Sequence, residues 1–156
     1  MKRSRGVPGV LSTFFAGMIL TACPAGIVFA HAPAAENKTS CDIQRGPCIR
    51  EAGDGMTVEF DIQPKPVTAM SGLTFFIHLT RNGKPVTDIS SVVLDLTMPG
   101  MYMGKNRPVL KRMDDGRYEG KGLITRCMSN SRTWQAEVVV ERAKRISAAV
   151  FEFEVR

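Results

Sequence analysis

Leu73-Thr74-Phe75-Phe76-Ile77-His78-Leu79-Thr80-Arg81-Asn82-Gly83-Lys84-Pro85 is the stretch that decides the fold. Leu73, Phe75, Ile77 and Leu79 recur every second residue, the period of a strand with one buried face; Phe76 and His78 lie on the other face. Asn82-Gly83 is a strong hairpin signal. Pro85 has no backbone N–H, which keeps the returning segment out of the middle of a sheet. Working outward, Val58, Phe60 and Ile62 alternate in an upstream strand that Pro64 and Pro66 end. Downstream, Val92, Leu94, Leu96 and Met98 alternate up to Pro99-Gly100. A weaker strand runs from Pro108 to Met113, and Asp114-Asp115-Gly116 turns it into Tyr118 to Thr125. Trp134, Ala136, Val138 and Val140 share one face of the next strand, and the last, Ile146 to Val155, is apolar on both faces over much of its length. About seven short strands at these turn spacings, with no helical period, predict an all-β, immunoglobulin-like antiparallel β-sandwich around Trp134.

The N-terminus has a different grammar. Lys2, Arg3 and Arg5 precede an apolar, uncharged run from Gly6 to Ala30, the order of a secretory signal. Leu20-Thr21-Ala22-Cys23 fits a lipobox, with Cys23 lipidated and the chain tied to a membrane. Val28-Phe29-Ala30 fits the small-residue cleavage rule and would release a soluble chain beginning at His31. The run is also long enough to remain as a membrane anchor. These three readings stand side by side, and all place the protein in a cell envelope, periplasmic and either soluble or anchored. Residues 1–30 are thus a signal peptide or anchor, 31–54 a polar tether from His31 to Ser40 followed by the Cys41/Cys48 segment, and 55–156 the sandwich domain.

Removing Lys2, Arg3 and Arg5 from the 21 cations leaves 18 against 15 carboxylates, a net charge of +3. The remaining cations, Arg107, Lys111, Arg112, Arg126, Arg132, Arg142, Lys144 and Arg145, are scattered rather than interleaved with aromatics. They read as a solvated surface and imply no nucleic-acid partner. Export puts Cys41, Cys48 and Cys127 in an oxidising compartment. In Cys41-Asp42-Ile43-Gln44-Arg45-Gly46-Pro47-Cys48 the Gly-Pro turn can bring the two thiols together. A bridge there would contribute roughly 2–3 kcal/mol by restricting the unfolded chain. A Cys48–Cys127 bridge is the competing arrangement.

The segment with chemical interest is Met98-Pro99-Gly100-Met101-Tyr102-Met103-Gly104. Pro-Gly is the central pair of a type II turn, so Met98 and Met101 take its first and last positions. Met103 would point with Met101 if the chain is extended. Thioether sulfur is soft and neutral, which suits Cu(I), and it does not form disulfides. Cys127 and Met128 are a second pair of soft donors. Copper is therefore the one cofactor implied, set against methionine's ordinary use as core filler, which fits Met98 best. His78, alone in mid-strand, reads as a packed or surface residue. His31 would hold Cu(II) only as the first residue of a cleaved chain. No HExxH, glycine-rich phosphate loop or Ser-His-Asp logic is present, so the chain reads as a binding protein rather than an enzyme.

The order of these motifs resembles the YtkA-like family, related to the FixH-like proteins of bacterial envelopes. The resemblance rests on Met98, Pro99, Met101, Gly104, Gly116, Tyr118, Met128 and Trp134, and runs loosely from Leu73 to Val155. It implies an immunoglobulin-like sandwich and a place in copper handling or in the assembly of copper-containing respiratory oxidases, with an envelope or membrane protein as partner. Three departures are visible: Cys127 is additional, Asn130 stands where the family's loop has glycine, and the Cys41 to Cys48 segment precedes the domain.

Overall fold

A computed structural model of the chain describes residues 41–127 and 131–156. Cys23, His31, the signal or anchor segment and Met128 lie outside the described residues. Nine strands form among them: β1 (Cys48–Glu51), β2 (Met56–Gln63), β3 (Leu73–Arg81), β4 (Lys84–Pro85), β5 (Ser91–Thr97), β6 (Leu110–Arg112), β7 (Tyr118–Gly122), β8 (Thr133–Arg142) and β9 (Arg145–Glu154). They make two antiparallel sheets. One has the order β1-β2-β3-β7-β6, with β4 paired to the far end of β3, and the other has the order β5-β8-β9. The predicted all-β sandwich is thus the observed fold.

The alternations place the core. Val58, Phe60 and Ile62 of β2 and Leu73, Phe75, Ile77 and Leu79 of β3 are buried against Leu94 and Leu96 of β5 and Trp134, Ala136, Val138 and Val140 of β8. Each fully buried side chain of this kind contributes roughly 1.5–3 kcal/mol. Phe60 is the aromatic hub. Its ring lies 6.5 Å from that of Phe75 in its own sheet, and 5.2 and 6.1 Å from those of Phe151 and Phe153 in the opposite sheet. In β9 the inward set is Ala149, Phe151 and Phe153, while Ile146 and Val150 are exposed, so the strand's two apolar faces have different fates.

Asn82 and Gly83 both have positive φ, 50° and 73°, the conformation of a two-residue hairpin of the mirror-image kind. Pro85 ends up on the two-residue β4 at the sheet's margin, as its missing donor requires.

The sheet takes in residues ahead of Gly55. Cys48 to Glu51 pair with Phe60 to Thr57 of β2. Ile43 is buried in the core, and Cys41 and Cys48 are joined by a disulfide with their α-carbons 5.7 Å apart. The reason is long-range bonding. Gln44 Nε2 donates to the Glu154 carbonyl at 2.9 Å, and Gln44 Oε1 accepts from the Val67 N–H at 2.8 Å. Lys65 Nζ donates to the Ile43 carbonyl and pairs with Asp61 at 2.7 Å. The cysteine segment is fastened to β2, to the 64–72 loop and to the end of β9.

Candidate metal site

Met98 continues the buried face of β5, and the chain then reverses. Met101 N–H donates to the Met98 carbonyl at 3.1 Å, and Gly100 has φ 76°. That is a type II turn with Pro99 and Gly100 at its centre, where glycine meets the left-handed conformation without a Cβ clash. The returning chain is then held in place. Leu96 N–H donates to the Asn106 carbonyl at 2.9 Å, Asn106 Nδ2 donates to the Leu123 carbonyl at 3.1 Å, and Arg107 pairs with Asp95 at 2.7 Å. Ile124, fully buried, anchors the segment after β7, and its carbonyl accepts from Met70 N–H at 2.8 Å. These bonds bring two loops distant in sequence side by side.

Their meeting point is sulfur. Cys127 Sγ lies 3.5 Å from Met101 Sδ, the thiol placed to donate to the thioether. Cys127 is only 5% exposed whereas Met101 is 41% exposed, so a buried soft donor is reached past an open one. Met98 is buried and joined to Met101 through the backbone bridge. Met103 is half-buried against the core, and Tyr102 between them is 88% exposed. The structure therefore draws together Met98, Met101 and Cys127; Met128 falls outside the described residues. The Cys48–Cys127 bridge is not formed, because Cys48 pairs with Cys41.

The donor chemistry can be weighed directly. Among the described residues no three His, Cys, Asp or Glu side chains gather in a way that could hold a metal. The soft donors at the Met98 turn are a thiol and thioethers, a set that suits Cu(I) and not Ca²⁺ or Mg²⁺. Elsewhere, His78 Nδ1 stands 3.9 Å from Glu59 Oε2 on the outer face of the larger sheet, a cross-strand pair.

Residues 51–126 match the model of the YtkA-like family. The chain carries a YtkA-like domain. The matched span includes the Met98 turn and Tyr118, and it begins at Glu51 in β1; Met128 and Trp134 lie beyond it. No curated protein matches the chain. Among solved structures, it resembles a DUF4785 family protein from Legionella pneumophila subsp. pneumophila strain Philadelphia 1. The TM-score is 0.51 at 16% identity, with 66% of this chain and 29% of that one covered, so the YtkA-like chain spans less than a third of that protein. It also resembles a DUF4426 family protein from Pseudomonas aeruginosa PAO1, with a TM-score of 0.46 at 14% identity and coverage of 69% and 96%. The Legionella likeness concerns the fold alone.

Sequence reading weighed Met101 with Met103 as the first pair and Cys127 as an accessory. The geometry puts Cys127 in contact with Met101. The Asn106 bond to Leu123 helps to draw the two loops together, and no local spacing between positions 101 and 127 signals the contact.

Proposed function

We propose that this chain is an exported binding protein of the cell envelope, not an enzyme, that takes up Cu(I) weakly as cargo through Met101 and Cys127. Met98 and Met103 would lie beside them, and Met128 is a further soft donor in sequence. The role would be accessory to the assembly of copper-containing metalloproteins such as respiratory oxidases. The observation that carries this reading is the 3.5 Å approach of two soft sulfur atoms, one buried and one open to solvent. The basic-then-apolar N-terminus supports export, and the Cys41–Cys48 disulfide agrees with an oxidising compartment. A site of few, mostly neutral donors suits a carrier that must also release its metal.

Anaerobic titration of the purified protein against a competing Cu(I) chelator tests this. The expected result is one copper per chain, lost in a Met101→Leu, Cys127→Ser double variant and retained in His78→Ala. Absence of copper uptake by the unmutated protein rules the proposal out.

A second reading has its own observation. Tyr102, 88% exposed and flanked by Met101, projects from the same end of the sandwich as exposed Leu123 and Met70. That apolar end would suit a metal-free contact with an envelope partner. A photocrosslinker in place of Tyr102 would then trap a partner in cells equally well with Met101→Leu and Cys127→Ser in the background. Loss of the crosslink in that background favours the copper reading.

A further inference from the structure

Cys127 also lines a second feature. A cleft of about 170 Å³ opens between the segment after β7, the start of β8 and the end of the chain after β9, and Arg126, Arg132 and Arg156 line it. Backbone bonding explains the convergence. Val155 N–H donates to the Arg132 carbonyl at 2.9 Å, and Ala69 N–H donates to the Arg156 carbonyl at 2.9 Å, so residues from three parts of the chain share one rim. Thr125 and Ser131 add two hydroxyls, and Trp134 lies at the inner end.

The cations here differ from others on the domain. Arg45, Arg107, Arg117, Arg142 and Arg145 each pair with an aspartate. Arg126, Arg132 and Arg156 have no ion pair among the described residues, and no Asp or Glu lines the cleft. Three arginines line one hollow that has no carboxylate side chain in its lining, and their planar N–H forks make no ion pair among the described residues, an arrangement suited to a bound anion.

We propose that this cleft binds a small oxyanion, held by Arg126, Arg132 and Arg156 with the hydroxyls of Thr125 and Ser131 as neutral donors. Guanidinium groups match carboxylate and phosphate oxygens in pairs, which defines the ligand class. The cleft, about 170 Å³, has room for a small carboxylic acid or a phosphate group. The site stands on charge and shape and is independent of the copper reading.

Trp134 is the chain's single tryptophan, so its fluorescence reports on the cleft without a label. The purified protein is titrated with citrate and, separately, with inorganic phosphate at low ionic strength, and calorimetry follows the same additions. Saturable one-to-one binding of at least one probe is expected, and the tighter of the two identifies a carboxylate or a phosphate as the natural group. An Arg126→Gln, Arg132→Gln double variant should bind at least about tenfold more weakly, the loss expected from removing charge-assisted hydrogen bonds. Arg117→Gln, in the β6–β7 hairpin, should bind as the unmutated protein does. No saturable binding of either probe, or equal affinity in the double variant with its fold intact by circular dichroism, overturns the proposal.

Discussion

Replacing Gln44 with alanine tests how the cysteine segment closes the sandwich. The Gln44 amide acts as a strand neighbour would: Oε1 accepts from Val67 N–H at 2.8 Å, while Nε2 donates to Val67 O at 3.3 Å and Glu154 O at 2.9 Å. The three bonds are not equal. The Val67 carbonyl also accepts from Arg156 N–H at 3.0 Å, and Glu154 is exposed, so both carbonyls keep or find partners in the variant. Val67 itself is fully buried, and its N–H is left without an acceptor. An orphaned buried donor costs about 1–3 kcal/mol, so roughly 2 kcal/mol is expected for Gln44→Ala. At about 4 °C per kcal/mol for a domain of this size, the melting temperature should fall by about 8 °C. Urea unfolding should show a lower midpoint with an unchanged slope. The penalty should shrink when the Cys41–Cys48 bridge is removed in the same chain, because the segment that presents Gln44 is then less confined. A Gln44→Ala variant within about 0.5 kcal/mol of the unmutated protein would refute this account of the closure.

Further outcomes follow from other positions. A Cβ added at Gly120 would lie 2.8 Å from Leu110 Cδ2 and 3.1 Å from the Val109 carbonyl oxygen; Gly120→Ala should therefore lose roughly 1–3 kcal/mol in urea unfolding. Gly100→Ala, at φ 76° in the methionine turn, should cost about 1–2 kcal/mol and weaken Cu(I) uptake as Met101 loses its position. The side-chain hydrogen bond from Arg142 holds the Asp88 carboxyl below the usual aspartate value, and the Arg117 N–H does the same for Asp115. Because these values are depressed in the folded state, the stability they add is present at neutral pH and is lost as pH falls through the folded values. NMR titration should find both midpoints below the ordinary aspartate range, and Arg142→Gln should return that of Asp88 towards it.

What the sequence revealed depended on whether a local period carried it. The inward residues of β2, β3 and β8 alternate strictly, and each was legible because one buried face forces a period of two. The strand expected from Tyr118 to Thr125 is shorter in the structure. β7 ends at Gly122, and Val109 and Leu110 pass so closely that a side chain at Gly120 would press on them. The sequence sets the Cys41 to Cys48 stretch apart from the sandwich, because the partners that fasten it, Glu154 above all, are far away in sequence. The bond between Cys41 and Cys48 was legible from the turn between them; the burial of Ile43 was not.

The same limit explains the two candidate sites. The inner faces of the sheets are filled by apolar side chains, so distinctive chemistry is displaced to one end, where the 64–72 loop, the methionine turn and the segments after β7, before β8 and after β9 meet. There Cys127 touches Met101 and also lines the arginine cleft. The two neighbours select by opposite properties: soft sulfur bonds a polarizable metal largely regardless of charge screening, whereas guanidinium groups attract anions through a field that salt weakens. Raising ionic strength should therefore loosen oxyanion binding while leaving copper uptake nearly unchanged. If both fell together, the sulfur pair would not be the seat of metal binding, and the arginine rim would be gathering copper in an anionic complex.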